Sequence, residues 1–472
     1  MRTLIILTLA TFAATAQAGE AKAAPRTGDF KDEYRDPSSG AAMKYRLRAP
    51  QKLPERNHLG LVLCFHGLNG NEDGLTGFGV DALTRNGLAD QYVIAGGKSK
   101  GNGWAETDDK DLLAWIEWVK RTYPIDPRRV HLIGMSNGGW MVNRFGWKYQ
   151  GWIATVTAYC GVSVAFSGVP DGKKPGPKGG PGSPADTKTE WYLVHGDADD
   201  TVGVDASRLA ARQLRNKGYR CLYREIKGGN HTDILGNRDV QDDVARFLHG
   251  ARHKELPLSK EDTAALGSLS SKAKSEKNAE AVASILAEAQ RVGGAPGGKV
   301  IVAALSNPDP EVKKAALATT RTTAYGREVV LAMAKLLKDK SEEVKTAAYR
   351  GLGAAAALRY PEALDALVRT ARTKKGPVAE RTLAIEELGK ALKLQFLGAF
   401  EDKQAIWSLV LLLDDEDAAV RKASFAELEK LVPDTFQYKP ELAVKERKAS
   451  LAKWASWTTG KCGPPEGAGK GG

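Results

Sequence analysis

Between residues 130 and 149 the chain passes from a continuous apolar stretch, Val130-His131-Leu132-Ile133, through Gly134-Met135-Ser136-Asn137-Gly138 into a helical pattern over residues 140–149. Glycines at both ends of G-x-S-x-G suit a turn too tight for side chains to pass. Such a turn lifts the serine hydroxyl out at the carboxyl edge of a sheet. A strand, a sharp elbow and a helix in that order commit this part of the chain to an α/β architecture. A Gly-Ser turn without chemistry is the alternative, and the residues downstream argue against it.

The rest of residues 42–250 keeps the same rhythm. Leu61-Val62-Leu63-Cys64-Phe65 is an unbroken apolar run of the kind a strand carries when both its faces are buried. Residues 92–95, 130–133, 153–158, 191–194 and 221–226 read the same way. Helical stretches lie between them; in residues 109–121, Leu112, Leu113, Trp115, Ile116 and Val119 make one apolar face, with Trp115 and Trp118 as core residues. This alternation implies a mostly parallel sheet covered by helices on both sides. Working residues in such sheets gather in the loops at the strands' carboxyl ends.

A serine hydroxyl is a poor nucleophile until a base takes its proton. The candidate base is His231, in Gly228-Gly229-Asn230-His231 just after the last strand-like run. The orienting acid is expected between serine and histidine, where His195-Gly196-Asp197-Ala198-Asp199-Asp200-Thr201-Val202 supplies three carboxylates. Asp199 is the choice, since the turn must run a few residues before a side chain can reach the histidine. Asp200 is the next choice, with Asp197 and Asp200 otherwise capping the turn and the following helix. An oxyanion needs two backbone N–H donors, each worth about 3 kcal/mol in acyl transfer. Asn137, after the nucleophile, is one candidate; Leu68, in His66-Gly67-Leu68-Asn69-Gly70, is the other. His66 reads as a structural histidine holding that loop, His131 and His195 as core or supporting residues, and His249 and His253 as lying outside the cleft. Trp104 is placed either to stack on an aromatic or sugar group or to pack under its loop.

The motifs FHGLNG (65–70), GMSNGG (134–139), HGDADDTV (195–202) and GGNH (228–231) together resemble the poly(3-hydroxybutyrate) depolymerase and feruloyl esterase-like branch of the α/β-hydrolases, over about residues 40–250. The resemblance implies the α/β-hydrolase fold, with Ser136 as nucleophile, Asp199 as orienting acid and His231 as base of a carboxylic ester hydrolase. The acid loop is also similar to that of prolyl-oligopeptidase-type peptidases. The expected activity is ester hydrolysis through an acyl-enzyme, the substrate ester being free, polymeric or polysaccharide-linked. The rival readings are peptidase activity and a catalytically inactive hydrolase-fold scaffold or binding protein. No cofactor is expected and, in the absence of H-E-x-x-H or EF-hand patterns, no metal.

Beyond His249 the composition turns to Ala, Leu, Glu and Lys with little strand signal. Similar heptapeptides recur as EVKKAAL around Val312, EVKTAAY around Val344, AERTLAI around Ala379 and AVRKASF around Val420, with anchors 32, 35 and 41 residues apart. Acidic starts such as Asn307-Pro308-Asp309-Pro310 and Asp414-Asp415-Glu416-Asp417 suit helix amino ends. The pattern resembles HEAT-like helix pairs, a compact helical bundle being the alternative. Such arrays present extended surfaces, so a non-catalytic role is expected: binding a protein or polymer, tethered through a polar linker, or walling the hydrolase cleft.

The expected divisions are a signal peptide at 1–18 (Arg2, an apolar run, then Ala16-Gln17-Ala18), a catalytic domain at 19–250, a linker at 251–260, a helical-repeat domain at 261–460 and a disordered tail at 461–472. They imply export to the periplasm or beyond the cell, without a membrane span. The Gly-, Pro- and Lys-rich residues 168–189 read as a surface loop or a flap beside the cleft. The net charge of +12 is interleaved with acids along the chain rather than gathered into a stripe, so no nucleic-acid partner is expected. Cys64, Cys160, Cys221 and Cys462 allow three full pairings, with Cys64 suited to a buried free thiol.

Overall fold

The computed structural model describes residues 25–161, 189–217, 219–253, 256–292, 294–320, 326–358, 360–392, 400–432 and 434–463. The expected signal peptide, almost all of the loop at 168–189 and the end of the tail lie outside these residues.

The strands are β1 (Gly28–Arg35), β2 (Ala42–Ala49), β3 (Leu59–Phe65), β4 (Tyr92–Gly97), β5 (Ile125–Met135), β6 (Thr155–Tyr159), β7 (Glu190–Gly196) and β8 (Cys221–Ile226). They form one eight-stranded sheet in the order β1-β2-β4-β3-β5-β6-β7-β8. Pairing is antiparallel for β1 with β2 and β2 with β4, and parallel for every other pair. With the serine elbow at the end of β5, this order makes the first half an α/β-hydrolase fold. Each apolar run named above lies in one of β3 to β8, slipped by a residue or two at β6.

Alternate residues of each buried strand feed two cores. Leu61, Leu63, Leu132, Val156 and Leu193 face α2 (Asp109–Thr122), α3 (Asn137–Lys148) and α4 (Asp205–Asn216), whose Trp115, Phe145 and Leu214 are buried there. Val62, Cys64, Ile94, Ile133 and Val194 face the other way, onto α1 (Gly74–Arg85) and α5 (Arg238–Gly250), which bury Leu83, Val244 and Phe247. This is the period of two working on both faces of a covered sheet.

The second half consists of helices α6 (Lys260–Ser275), α7 (Ala279–Val292), α8 (Gly294–Leu305), α9 (Pro310–Thr320), α10 (Arg327–Lys335), α11 (Glu342–Ala357), α12 (Pro361–Arg372), α13 (Val378–Leu392), α14 (Phe400–Leu412), α15 (Ala418–Leu431) and α16 (Val444–Cys462). One continuous core runs through them. The recurring heptapeptides open α9, α11, α13 and α15, and their basic third position reaches ahead to later residues. Lys313 Nζ meets Asp339 at 2.7 Å and Lys345 Nζ meets Glu380 at 2.7 Å. Arg381 forks onto Asp415, and Arg421 donates to the carbonyl of Pro440 at 2.8 Å. Repeated residues therefore make repeated contacts between neighbouring units, the nearest-neighbour logic of a solenoid. The acidic starts act as helix caps: Asp309 accepts from Glu311 N–H at 2.7 Å, and Asp417 from Ala419 N–H at 2.8 Å.

The two halves meet beneath the sheet. Arg128, early in β5, donates to the carbonyl of Val292 at the end of α7 (3.1 Å), and Arg252 to that of Gln290 (3.3 Å). His58 Nε2 lies 3.3 Å from Asp262 on α6. Arg220, just ahead of β8, donates to Leu358 O past the end of α11 at 3.1 Å and stacks over Tyr360. His58 and Arg220 lie just ahead of strands and Arg128 early in one, so the array docks at the end of the sheet opposite the strands' carboxyl ends. The stretch expected to be a polar linker begins with three buried residues, Ala251, Arg252 and His253. His253 N–H donates to Arg128 O at 2.8 Å, so its backbone packs against the hydrolase half.

Candidate active site

The elbow after β5 forces Ser136 to φ 55° and ψ −118°, a left-handed conformation that a non-glycine residue adopts only where its surroundings impose it. A Cβ on Gly134 would stand 2.1 Å from Gly138 O, and one on Gly138 would stand 1.9 Å from Phe65 O, so neither position admits a side chain. Ser136 N–H donates to Tyr159 O at 2.8 Å, tying the turn to the end of β6. Gly67 lies beside the serine; a Cβ there would be 3.4 Å from Ser136 Cβ and 3.9 Å from its Oγ.

Asp199 follows β7 and His231 follows β8. His231 Nδ1 lies 2.7 Å from Asp199 Oδ2. The acid accepts and the ring nitrogen donates, because the carboxylate is held in its ionised form. Burial pushes its pKa up, but hydrogen bonds from Cys160, Val202 N–H, His231 and Thr201 N–H outweigh burial and hold it well below the usual carboxylate range. Thr201 N–H and Val202 N–H each reach Asp199 Oδ1 at 2.9 Å. The Asp199 side chain is wholly buried, while His231 keeps 15% of its own exposed.

The two loops are built as one piece. Asp197 Oδ1 accepts from Gly228 N–H at 2.6 Å, and Ala198 N–H donates to Gly229 O at 3.0 Å. Gly196 leaves no room for a Cβ, which would stand 2.0 Å from Gly229 O. Asn230 Oδ1 accepts from Thr232 N–H and Asp233 N–H, both at 2.9 Å, closing the turn that presents His231. Asp197, expected to cap its own turn or the following helix, instead ties that loop to the turn after β8. Asp200 is exposed and meets Thr201 Oγ1 at 3.2 Å.

Asn137 begins α3, and its side chain grips the Trp104 peptide. Oδ1 accepts from Trp104 N–H at 2.6 Å and Nδ2 donates to Trp104 O at 3.3 Å. Trp104 is 3% exposed and packs on Phe65 and His66 at ring distances of 5.0 and 5.1 Å. Of its two expected roles the structure takes packing. His66 holds its loop as expected: Nδ1 donates to Gly67 O at 2.7 Å and Nε2 accepts from Ser99 N–H at 3.1 Å. Burial lowers its pKa, in keeping with that neutral tautomer. Asn69 N–H donates to Asn102 O at 2.5 Å, and Leu68 turns its side chain out to solvent.

The other histidines serve the scaffold. His131 is fully buried against Thr155 Oγ1 at 2.9 Å. His195 sits between Ser207 Oγ at 2.6 Å and Val202 O at 2.8 Å, with its Nε2 3.2 Å from Asp199. His249 and His253 lie near the junction with the helical half, away from the site.

Two features escaped the sequence reading: the Asn137 side-chain grip, and Cys160. Sγ of Cys160, an Asp199 oxygen and a His231 nitrogen lie within 4.8 Å of one another. The available signal for Cys160 was its place directly after the run at 153–158, at a strand's carboxyl end. Cys64 and Cys160 are buried free thiols. Among the described residues, Cys160, Asp199 and His231 are the one group of three with metal-ligand side chains this close, and the 2.7 Å bond between His231 and Asp199 suits an acid–histidine pair.

Comparison with known proteins gives partial likenesses. A family model for HEAT repeats matches residues 298–389, from α8 into α13. A kynurenine formamidase from Drosophila melanogaster is 39% identical over 61 residues, which is 13% of this chain and 20% of the relative's length. A thermostable esterase of known structure is 21% identical with a TM-score of 0.37, the match covering 48% of this chain and 63% of that one. A ferulic acid esterase structure is 15% identical with a TM-score of 0.37, over 47% of this chain and 97% of that one. Among the described residues, no helix is long and apolar enough to cross a membrane.

Proposed function

We propose that this chain is a serine hydrolase acting on carboxylic esters, with Ser136 as nucleophile, His231 as base and Asp199 as the acid that orients it. One observation carries the reading: Ser136 is held at φ 55° on an elbow at the sheet edge where the loops after β7 and β8 present a hydrogen-bonded Asp199–His231 pair at 2.7 Å. Asp199 accepts from Nδ1, which leaves Nε2 as the nitrogen free to take the serine proton. The alkoxide attacks the ester carbonyl, and its oxyanion rests on the N–H groups of Asn137 and Leu68. Collapse expels the alcohol, protonated by His231. Water then repeats the cycle on the acyl-enzyme, releasing the acid and restoring the serine.

The test is turnover of nitrophenyl esters of rising acyl length, a methyl hydroxycinnamate and a polyester film. The reading expects turnover of at least one, abolished in Ser136→Ala. Cleavage of peptides without ester turnover would move the assignment to a peptidase. A fluorophosphonate that leaves Ser136 unlabelled in the folded protein would favour the scaffold reading.

We propose further that the chain is exported, on residues 1–18 alone. Amino-terminal sequencing of the expressed protein should find the mature start after Ala18. For the helical half the proposal is a non-catalytic surface for a protein or polymer. Its docking beneath the sheet supports this, because the strands' carboxyl ends are left to the substrate.

A further inference from the structure

Cys160 follows β6 with φ 44°, a strained conformation for a residue with a Cβ, and its side chain is fully buried. Its backbone is fixed by an N–H bond to Val194 O at 2.9 Å, so the thiol is aimed by the sheet itself. It faces the Asp199 carboxylate after β7 and the His231 ring after β8, the three ligand atoms lying within 4.8 Å of one another. An ionised carboxylate offers about four acceptor positions. Thr201 N–H and Val202 N–H fill two at Oδ1, and His231 fills one at Oδ2, beside His195 Nε2 at 3.2 Å.

We propose that Cys160 is a positioning residue: its thiol closes the remaining side of the Asp199 carboxylate, keeps water from it and fixes the oxygen to which His231 is bound. The inference deepens the serine hydrolase reading and rests on it. The electrostatics agree. Burial first, and then the bond to Asp199, push the Cys160 thiol far above its ordinary range, so it remains an S–H donor. The Cys160 thiol beside it is in turn the foremost influence lowering the Asp199 carboxyl. The charged groups facing the thiol are Asp199 and, farther off, Asp233; those facing Asp199 are His195 and His231. A thiol suits the task because it is a weak donor with an apolar body. It satisfies the carboxylate while drawing less of its charge from the histidine than a stronger donor would.

The test compares Cys160→Ala, Cys160→Gly and Cys160→Ser in the full chain. Loss of the donor should lower kcat about fivefold with KM nearly unchanged, and Cys160→Ser should restore most of it. With one donor fewer, more carboxylate charge is left for the histidine. The acid limb of the kcat/KM profile should therefore move to higher pH by about half a unit. The downfield proton resonance of the His231–Asp199 hydrogen bond should shift or broaden in Ala and Gly and return in Ser, a readout that needs no substrate. Fluorophosphonate labelling of wild-type Ser136, run alongside, tests the hydrolase reading separately. Wild-type kcat, acid limb and resonance in Cys160→Ala would overturn the inference, as would a Ser variant as impaired as Ala. Cys160→Gly relieves the φ of 44° and serves where Ala fails to fold. Where both fail to fold, Cys160→Ser decides: kcat and resonance close to wild type bear the inference out, and loss of either overturns it.

Discussion

Arg220 joins the two halves of the chain at a single guanidinium: Nη1 pairs with Glu190 Oε2 at 2.6 Å, while Nε donates to the carbonyl of Leu358 at 3.1 Å. Burial alone would disfavour the cation. Glu190 and the face of Tyr360 more than compensate, leaving its pKa raised. Leu358 caps the carboxyl end of α11, whose free carbonyls attract a cation. The helical half is therefore seated on the hydrolase rather than trailing from it.

Removing that guanidinium breaks the buried ion pair it makes with Glu190. Arg220→Ala should destabilise the whole chain by about 3 kcal/mol in urea unfolding. The strand carboxyl ends lie six residues further along β8, about 20 Å away at the rise of a strand. Turnover of a small soluble ester should therefore stay within about twofold of wild type under conditions where the variant is folded. A large kcat loss in a folded Arg220→Ala protein would mean that the junction shapes the cleft.

The Asn137 side chain bridges the elbow and the loop that carries Trp104. Asn137→Ala keeps the backbone N–H proposed for the oxyanion but frees that loop, and with it the Asn102 carbonyl that holds Asn69. The expected loss is about tenfold in kcat, the penalty of a loosened rather than absent donor. Steady-state kinetics on one nitrophenyl ester checks it, and an unchanged kcat would make the grip a packing feature only.

The buried strands and the acid–histidine pair were legible in the sequence because each leaves a local mark: an apolar run, or a turn motif directly after one. Asp199 separated from Asp197 and Asp200 on reach alone, and the structure gives the three carboxylates three different surroundings. β1 left no such mark. As an edge strand it buries only Phe30 and Tyr34, and its charged remainder hides the period. Cys160 and the Asn137 grip depend on what lies across the sheet, which no local pattern carries. The same holds for Arg252 and His253: polar letters in the sequence, buried because the guanidinium reaches the carbonyls of His249 and Gln290 and the imidazole that of Gln150.

Ser136 holds a left-handed backbone at the expense of stability. Glycine takes φ 55° without strain, so Ser136→Gly should abolish turnover and raise stability by about 1 kcal/mol. Ser136→Ala should abolish turnover with stability close to wild type, because alanine keeps the strained Cβ. Equal unfolding midpoints for the Gly and Ala variants would show that the elbow stores no strain.

The folded protein holds the Asp199 carboxyl below its ordinary pKa of 3.8. A group with a depressed folded pKa contributes stability that is fully present above the unfolded value. That contribution is lost as pH falls through the folded value. Asp199→Asn removes the ionised acceptor of the Thr201, Val202 and His231 donors. The variant should be less stable than wild type at neutral pH, and the gap should narrow as the pH is lowered below about 4, the ordinary aspartate range. Its turnover should fall by about 10³- to 10⁴-fold, because an amide can present its NH₂ to the histidine and favour the wrong tautomer. Urea unfolding of both proteins at pH 7, 5 and 3.5 measures the gap. A gap that stays constant, or widens toward acid, would show that the carboxylate's hydrogen bonds do not hold its proton affinity down.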